Sequence, residues 1–120
     1  RSAHKEDIVI YHEAIDYIVE HYMDEDINRD TIAKSLGITP RKLYRALQGR
    51  NTTINKAIQT IRLHKGREML RKTDMAVDGI AFQLNFSTAK YFYRQFVQCF
   101  GHSPSKEREL YQKTKKRKKR

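Results

Sequence analysis

A stretch of seven residues recurs later in this chain, and the repeat constrains the fold more than any other feature of the sequence. Residues 32–38 (IAKSLGI) return 48 positions later as residues 80–86 (IAFQLNF), and the similarity continues beyond a one-residue insertion. The turn position is Gly37 in the first copy and Asn85 in the second, two residue types that readily adopt a positive φ. Each copy therefore predicts a helix, a tight turn and a second helix, so the chain contains two helix-turn-helix units.

Apolar residues elsewhere follow the period of an α-helix, and no useful stretch alternates as a β-strand would. The sequence predicts an all-α chain of seven helices, two helix-turn-helix subdomains joined by a long linker helix. The signals for helix ends are Asn28, Thr39 and Thr88 as N-caps, Pro40 as a first helical residue, and Gly37 and Gly101 as stops. The first helix is predicted at about 8–23, and the predicted domains are a first subdomain (8–50), the linker helix (53–72), a second subdomain (75–110) and a disordered basic tail (111–120).

The distribution of charge indicates an anionic partner. The chain has 25 Lys and Arg against 14 Asp and Glu, which gives a net charge of +11. Residues 1–30 have a net charge of −6, residues 31–110 have +10, and residues 111–120 have +7. The positive field therefore belongs to the folded body as well as to the tail, which favours nucleic acid as the partner.

The second helix of each repeat carries the same order of outward side chains. These positions are Arg41, Tyr44 and Arg45 in the first copy and Lys90, Tyr93 and Arg94 in the second. The planar fork of arginine can bond both acceptors of a guanine edge, whereas lysine reaches one acceptor or a phosphate. A charged helix face is often merely solvated, but its recurrence after the same turn favours DNA contact. The predicted DNA-binding residues are Thr39, Arg41, Lys42, Tyr44, Arg45, Thr88, Lys90, Tyr93 and Arg94, with the two tyrosines as second-rank contacts.

The predicted linker helix has a length that suits DNA. About 20 residues at about 1.5 Å each span about 30 Å, and major grooves on one face of B-DNA recur about every 34 Å. The second helix of each repeat is here called the recognition helix, and one chain is expected to place both recognition helices in adjacent major grooves without dimerising. The DNA is expected to bend toward the protein, and the binding site to lack palindromic symmetry.

Over about residues 10–110 the chain resembles the DNA-binding domain of the AraC/XylS transcriptional regulators. The resemblance rests on Ile32-Ala33, Leu36-Gly37, Leu43, Arg45, residues 62–70, Ile80-Ala81, Phe86, Tyr91-Phe92, Arg94, Phe96, Gly101, Pro104-Ser105 and Arg108. It implies a seven-helix fold that binds promoter DNA, contacts RNA polymerase and usually activates transcription. It also implies a separate effector or dimerisation domain, so the fragment is expected to be monomeric on DNA and the whole protein dimeric.

Carried over by position, the family's base contacts fall on Arg41, Tyr44, Arg45, Lys90 and Arg94. The chain departs from the family pattern at two positions besides the bulky tyrosines. Asn85 stands where the family has Gly, at modest expense in stability. Gly66 stands where the family has Ala, which lowers the helix propensity of the linker and suggests a bend there.

Two other kinds of partner remain open. One is an acidic protein bound by a basic helical module whose tail, residues 113–120, attaches nonspecifically to nucleic acid. The other is RNA, which ranks lowest because the chain lacks RNA-recognition motifs. Steep loss of affinity with salt and resistance to competitor DNA would distinguish sequence-specific DNA binding from the first alternative.

The sequence gives no support for catalysis, a cofactor or a metal. The five histidines are scattered, without a carboxylate or Cys partner at the spacing of a metal site or a catalytic triad. Cys99 is expected in the core or at its boundary. No apolar run is long enough for a membrane helix and no signal peptide precedes the fold, so we expect a cytoplasmic chain without a membrane partner.

Overall fold

All regular secondary structure in the described part of the chain is α-helix. A computed structural model describes residues 2–118, and the side chains of residues 5–116. Within this range the chain forms seven α-helices and no strand, which confirms the predicted fold class. The helices are α1 (Ser2–His21), α2 (Arg29–Leu36), α3 (Pro40–Gln48), α4 (Ile54–Lys72), α5 (Val77–Gln83), α6 (Ala89–Phe100) and α7 (Pro104–Lys118).

Local side-chain chemistry sets most of the helix ends, as the sequence predicts. The Asn28 side chain accepts hydrogen bonds from the Asp30 and Thr31 amides, and Thr31 closes a capping box. Thr39 and Thr88 cap α3 and α6 more simply, each accepting one hydrogen bond, from the amides of Lys42 and Tyr91. The turn of each repeat is left-handed, with φ of 69° at Gly37 and 64° at Asn85, so Asn supplies the conformation that Gly supplies in the first copy. The two copies thus share the same left-handed backbone conformation in the turn.

The residue contacts divide the chain into two units. Unit 1 ends at Ile61 and unit 2 begins at Arg62, so each unit contains one helix-turn-helix pair. In unit 1, α1 packs on α2 and α3 over an aliphatic core. The buried residues of this core are Ile10, Ala14, Ile18, Ile32, Ala33, Leu43, Ala46, Leu47, Ile54, Ala57 and Ile58.

The core of unit 2 is aromatic at its centre. The fully buried rings of Phe92 and Phe96 have centroids 5.8 Å apart, and Phe86 and Phe100 extend the cluster at 4.9 Å and 4.6 Å. A Cβ built at Gly66 would lie 3.0 Å from Leu84 Cδ1 and 3.1 Å from the Phe92 ring. Gly66 therefore allows the close approach of α4 to this cluster, a reason that the sequence-based interpretation as a bend missed.

Helix α7 clamps the end of α4. Arg108 donates from Nε to the Leu70 carbonyl at 2.9 Å, and from Nη2 to the carbonyls of Met75 at 2.6 Å and Thr73 at 3.1 Å. These carbonyls belong to the last turn of α4 and to the segment before α5, where helical partners are missing. Arg108, one of the residues that carry the family resemblance, thus has a structural role.

Three expectations about the chain differ from the structure. Helix α1 spans Ser2–His21 rather than about 8–23, and Cys99 is exposed because Phe92, Phe96 and Phe100 form the inward stripe of α6. Residues 111–118 continue α7 as a helix instead of a disordered tail. Glu109 pairs there with Lys106 at 3.5 Å and with Lys113 at 3.2 Å, and no Gly or Pro follows Pro104. Residues 119–120 of the predicted tail lie outside the described residues.

Candidate nucleic-acid interface

The recognition helix of unit 1, α3, is strongly amphipathic. Leu43, Ala46 and Leu47 of α3 are buried, which leaves the opposite face to Arg41, Tyr44 and Arg45. All three are exposed, with Tyr44 at 55%. The Thr39 hydroxyl is engaged as the N-cap, since it accepts from the Lys42 amide at 3.2 Å. The predicted triplet therefore lies on one open face.

The recognition helix of unit 2 has the same arrangement. Phe92 and Phe96 are fully buried, while Lys90, Tyr93 and Arg94 are exposed, with Tyr93 at 45%. Thr88 is exposed, and its hydroxyl accepts from the Tyr91 amide at 3.0 Å. The Arg94 guanidinium lies 6.0 Å from the centre of the Tyr91 ring, a distance at the limit of a cation–π contact.

Each recognition helix borders an open groove at the corresponding place of the repeat. The groove beside α3 has a volume of about 520 Å³, and its polar rim includes Arg29, Arg41 and Tyr44. The groove beside α6 has a volume of about 440 Å³ and is lined by Val77, Asp78, Ala89, Lys90, Tyr93 and Arg94. Both grooves are bounded by the start of the first helix and by the outward face of the second. The arrangement can therefore receive an extended anionic ligand along each recognition helix.

Several residues that flank these grooves are absent from the predicted DNA-binding set. Arg29 and Asn55 line the groove of unit 1, whereas Asp78 lines that of unit 2. Arg29 and Asp78 both lie in the first turns of α2 and α5, but the repeat aligns Arg29 with Val77 and Asp78 with Asp30, so it gives no common signal for the two. The groove linings therefore differ, with Arg29 in unit 1, whose guanidinium lies 3.8 Å from the Asp30 carboxylate, and Asp78 in unit 2.

Lys42 is set apart from the other predicted DNA-binding residues. It is partly exposed, and its Nζ contacts Oε1 of Glu6 near the start of α1. Glu6, Asp7, Lys42 and Arg45 together line a small cleft of about 150 Å³. Among the described residues, no salt bridge involves Arg41, Arg45, Lys90 or Arg94. The structure therefore brings two arginines of α3 together at the surface and gives Lys42 an internal anion.

A buried carboxylate supports unit 2 away from the exposed triplet. Glu107 of α7 is 2% exposed, and its Oε2 accepts from Arg71 Nε at 2.7 Å and lies 3.3 Å from Arg67 Nε. Its Oε1 accepts from His102 Nε2 at 2.7 Å. Burial raises the pKa of Glu107, but the hydrogen bonds from His102 and Arg71 and the nearby positive charge of Arg67 outweigh it, so the pKa is lowered overall. This cluster is an ionised structural anchor.

Within the described range, no group of three or more His, Cys, Asp or Glu side chains is arranged to hold a metal ion. None of the helices seen there combines the length and the apolar character needed to cross a membrane.

Comparison with known proteins supports the geometric interpretation. A family model described as a helix-turn-helix domain matches residues 32–110. The HTH-type transcriptional activator RhaS of Escherichia coli O139:H28 is 32% identical over 89 residues, which are 73% of this chain and 32% of the relative. The chain thus spans about a third of the length of the RhaS proteins that it matches.

Solved structures show the same fold. A transcriptional regulator with an AraC-type DNA-binding domain from Chromobacterium violaceum is 23% identical with a TM-score of 0.79, over 92% of this chain and 96% of that one. The DNA-binding domain of AdpA, solved with a target DNA, is 21% identical with a TM-score of 0.74, over 85% and 92% of the two chains. The family match over residues 32–110 and the two capped helix-turn-helix pairs show that this chain belongs to the AraC/XylS family and carries its helix-turn-helix DNA-binding domain.

Proposed function

We propose that the chain binds promoter DNA sequence-specifically, with α3 and α6 in adjacent major grooves, and that it regulates transcription as an activator. The observation that carries the proposal is the recurrence of one exposed triplet beside one open groove in both units. A solvated face would not require the same order of a basic residue, Tyr and Arg at the same places of two packed repeats. The net charge of +10 over residues 31–110 supports a polyanionic partner.

The exposed side chains divide by chemistry into three kinds of contact. Arg41, Arg45 and Arg94 have guanidinium groups that can bond the O6 and N7 atoms of guanine together. Lys90 supplies a point charge for one base acceptor or for a phosphate. Tyr44 and Tyr93 offer rings for a thymine methyl group or a sugar. Sequence preference is therefore expected to depend mainly on the three arginines.

The length of α4 supports the use of two adjacent grooves. A helix of 19 residues is about 28 Å long, somewhat shorter than the groove repeat of about 34 Å. Binding of both recognition helices by one molecule then requires DNA that curves toward the protein. Because the two triplets are similar but not identical, the bound site should lack two-fold symmetry.

The regulatory part of the proposal comes from the relatives. The name of RhaS describes a transcriptional activator, and an activator must contact RNA polymerase or alter the promoter DNA. We extend this activity to the whole protein, which we expect to dimerise through a domain other than this one. RNA polymerase is accordingly the expected protein partner.

The test begins with duplexes selected from a random library by the chain, followed by footprinting. We expect protection on two successive major grooves of one DNA face. Arg45→Ala and Arg94→Ala should each weaken binding to the selected duplex by about 1 to 3 kcal/mol and relax the preference at one position. Binding to random duplex should change much less.

Matched controls remove one exposed positive charge outside the two triplets. Lys34→Ala in unit 1 and Lys72→Ala in unit 2 serve this purpose. If Arg45→Ala and Arg94→Ala weaken selected and random duplexes equally, they contact phosphates rather than bases. Protection of a single groove would contradict the two-groove arrangement.

A further inference from the structure

Two acidic residues of α1, Glu6 and Asp7, lie against the recognition helix of unit 1. Glu6 contacts the Lys42 ammonium with its carboxylate, and Asp7 shares a cleft with Arg45. Helices α1 and α3 pack together through the aliphatic core that includes Ile10 and Leu43. The packing therefore holds two carboxylates beside a helix that presents cations to DNA.

The placement is unfavourable for simple electrostatic attraction to DNA. A phosphate that approaches Lys42 must compete with Glu6, whose carboxylate already neutralises the ammonium. Both side chains are partly exposed, 40% for Lys42 and 49% for Glu6. A pair with this exposure is weak, so it can be displaced by a phosphate, but only with a loss of attraction.

We propose that Glu6 acts as an internal substitute for a DNA phosphate at Lys42 and is a residue that determines the sequence specificity of unit 1. It removes one cation from nonspecific contact with the DNA backbone, and it leaves Arg41 and Arg45 available for base edges. The inference rests on the proposed function, because it concerns how the same recognition helix distinguishes selected from random DNA.

The physical basis is the difference between the two kinds of complex. On random DNA, affinity comes almost entirely from neutralised phosphates, and the protein can adopt any register in which its unpaired cations contact phosphates. On a selected site, base contacts fix the register, and a released lysine reaches a phosphate only if one lies at that place. Release of Lys42 should therefore strengthen random binding more than selected binding.

The experiment compares Glu6→Gln with the unaltered chain on random and selected duplexes over a series of salt concentrations. We expect about 3- to 10-fold tighter binding to random duplex at moderate salt, and a slope of log K against log[salt] steeper by up to about 0.9, the contribution of one more phosphate. Affinity for the selected duplex should rise less than this. The ratio of the two affinities should therefore fall.

Two further variants separate the local pair from net charge. Asp16→Asn removes an equal charge from an exposed position on another face of α1 and should leave the ratio and the slope nearly unchanged. The double variant Glu6→Gln, Lys42→Gln removes the pair as a unit and should return random binding close to that of the unaltered chain. Circular dichroism should show equal helix content throughout.

The outcomes distinguish this inference from the proposed function. If the unaltered chain selects no preferred duplex, the proposed function fails. If it does select one, but Glu6→Gln leaves random affinity and the salt slope unchanged, or acts no differently from Asp16→Asn, then the role of Glu6 is wrong and the proposed function stands.

Discussion

The two units build the same helix-turn-helix pair on different supports. Unit 1 holds its recognition helix against α1 through aliphatic side chains. Unit 2 has an aromatic cluster and a buried carboxylate that ties α7 to α4 through two arginines. The difference shows that the capped turn and the outward triplet are independent of the support that carries them. It also gives the units different sensitivities to the loss of a charge.

The largest expected effect is a loss of stability in unit 2, without one in unit 1, when Glu107 is replaced by Gln. Glu107→Gln leaves Arg67 and Arg71 without their anion, and the loss of one partner of a buried pair typically destabilises by about 3 to 5 kcal/mol. Both arginines keep 35% of their side-chain area exposed, so we expect the lower end, about 3 kcal/mol. Urea unfolding combined with residue-resolved amide exchange measures the change in each unit.

The control for this variant is a carboxylate two residues along α7 from Glu107. Glu109→Gln removes a carboxylate whose ion pairs among the described side chains are with Lys106 and Lys113 on the same helix, and it should leave the stability of unit 2 nearly unchanged. Equal loss of exchange protection in α1–α3 and in α5–α7 after Glu107→Gln would show that the two units unfold together, against the division described above.

Acid should also act on unit 2 more than on unit 1. Because the pKa of Glu107 is lower in the folded chain than the ordinary glutamate value of about 4.3, its stabilisation is complete above that value. It is lost as the pH falls through the folded pKa. In the unaltered chain, the protection factors of amides in α5–α7 should therefore fall as the pH is lowered. In Glu107→Gln, which lacks the titrating carboxyl, the same lowering of pH should change them much less. An identical acid response in the variant would exclude Glu107 as the cause.

The smallest of these effects concerns the aromatic packing of unit 2. Gly66→Ala adds a methyl group against Leu84 and Phe92, which are both fully buried. Overpacking costs about 1 to 3 kcal/mol, and the better helix propensity of Ala returns about 1 kcal/mol, so a net loss of about 1 kcal/mol is expected. Gly49→Ala in unit 1 meets only ordinary contacts and is the control. A stabilised Gly66→Ala variant would mean that the two side chains move aside.

Local chemistry made much of this fold predictable from sequence. Caps such as Asn28, Thr39 and Thr88 act within three residues of themselves, and the repeat placed the αL turn at both Gly37 and Asn85. The outward triplets followed from helical periodicity once the inward leucines and phenylalanines were identified. Their roles on DNA stay predictions.

Contacts between residues distant in sequence were not predictable in the same way. Glu107 lies 36 residues from Arg71, so no spacing rule joins them, and a Glu in a strongly basic helix is ordinarily expected to be solvated. The pair of Glu6 and Lys42 has the same character. The basic tail misled because a run of like charges suggests disorder, whereas Lys, Arg and Gln also favour helix when a packed turn precedes them.

The bonds of Arg108 bear on how the protein is made. Its carbonyl partners at Leu70 and Met75 precede it by 38 and 33 residues, whereas unit 1 ends at Ile61. During synthesis, the residues of unit 1 therefore all leave the ribosome before α7 does. We expect unit 1 to fold first, whereas unit 2 completes its fold only after Arg108 has been synthesised.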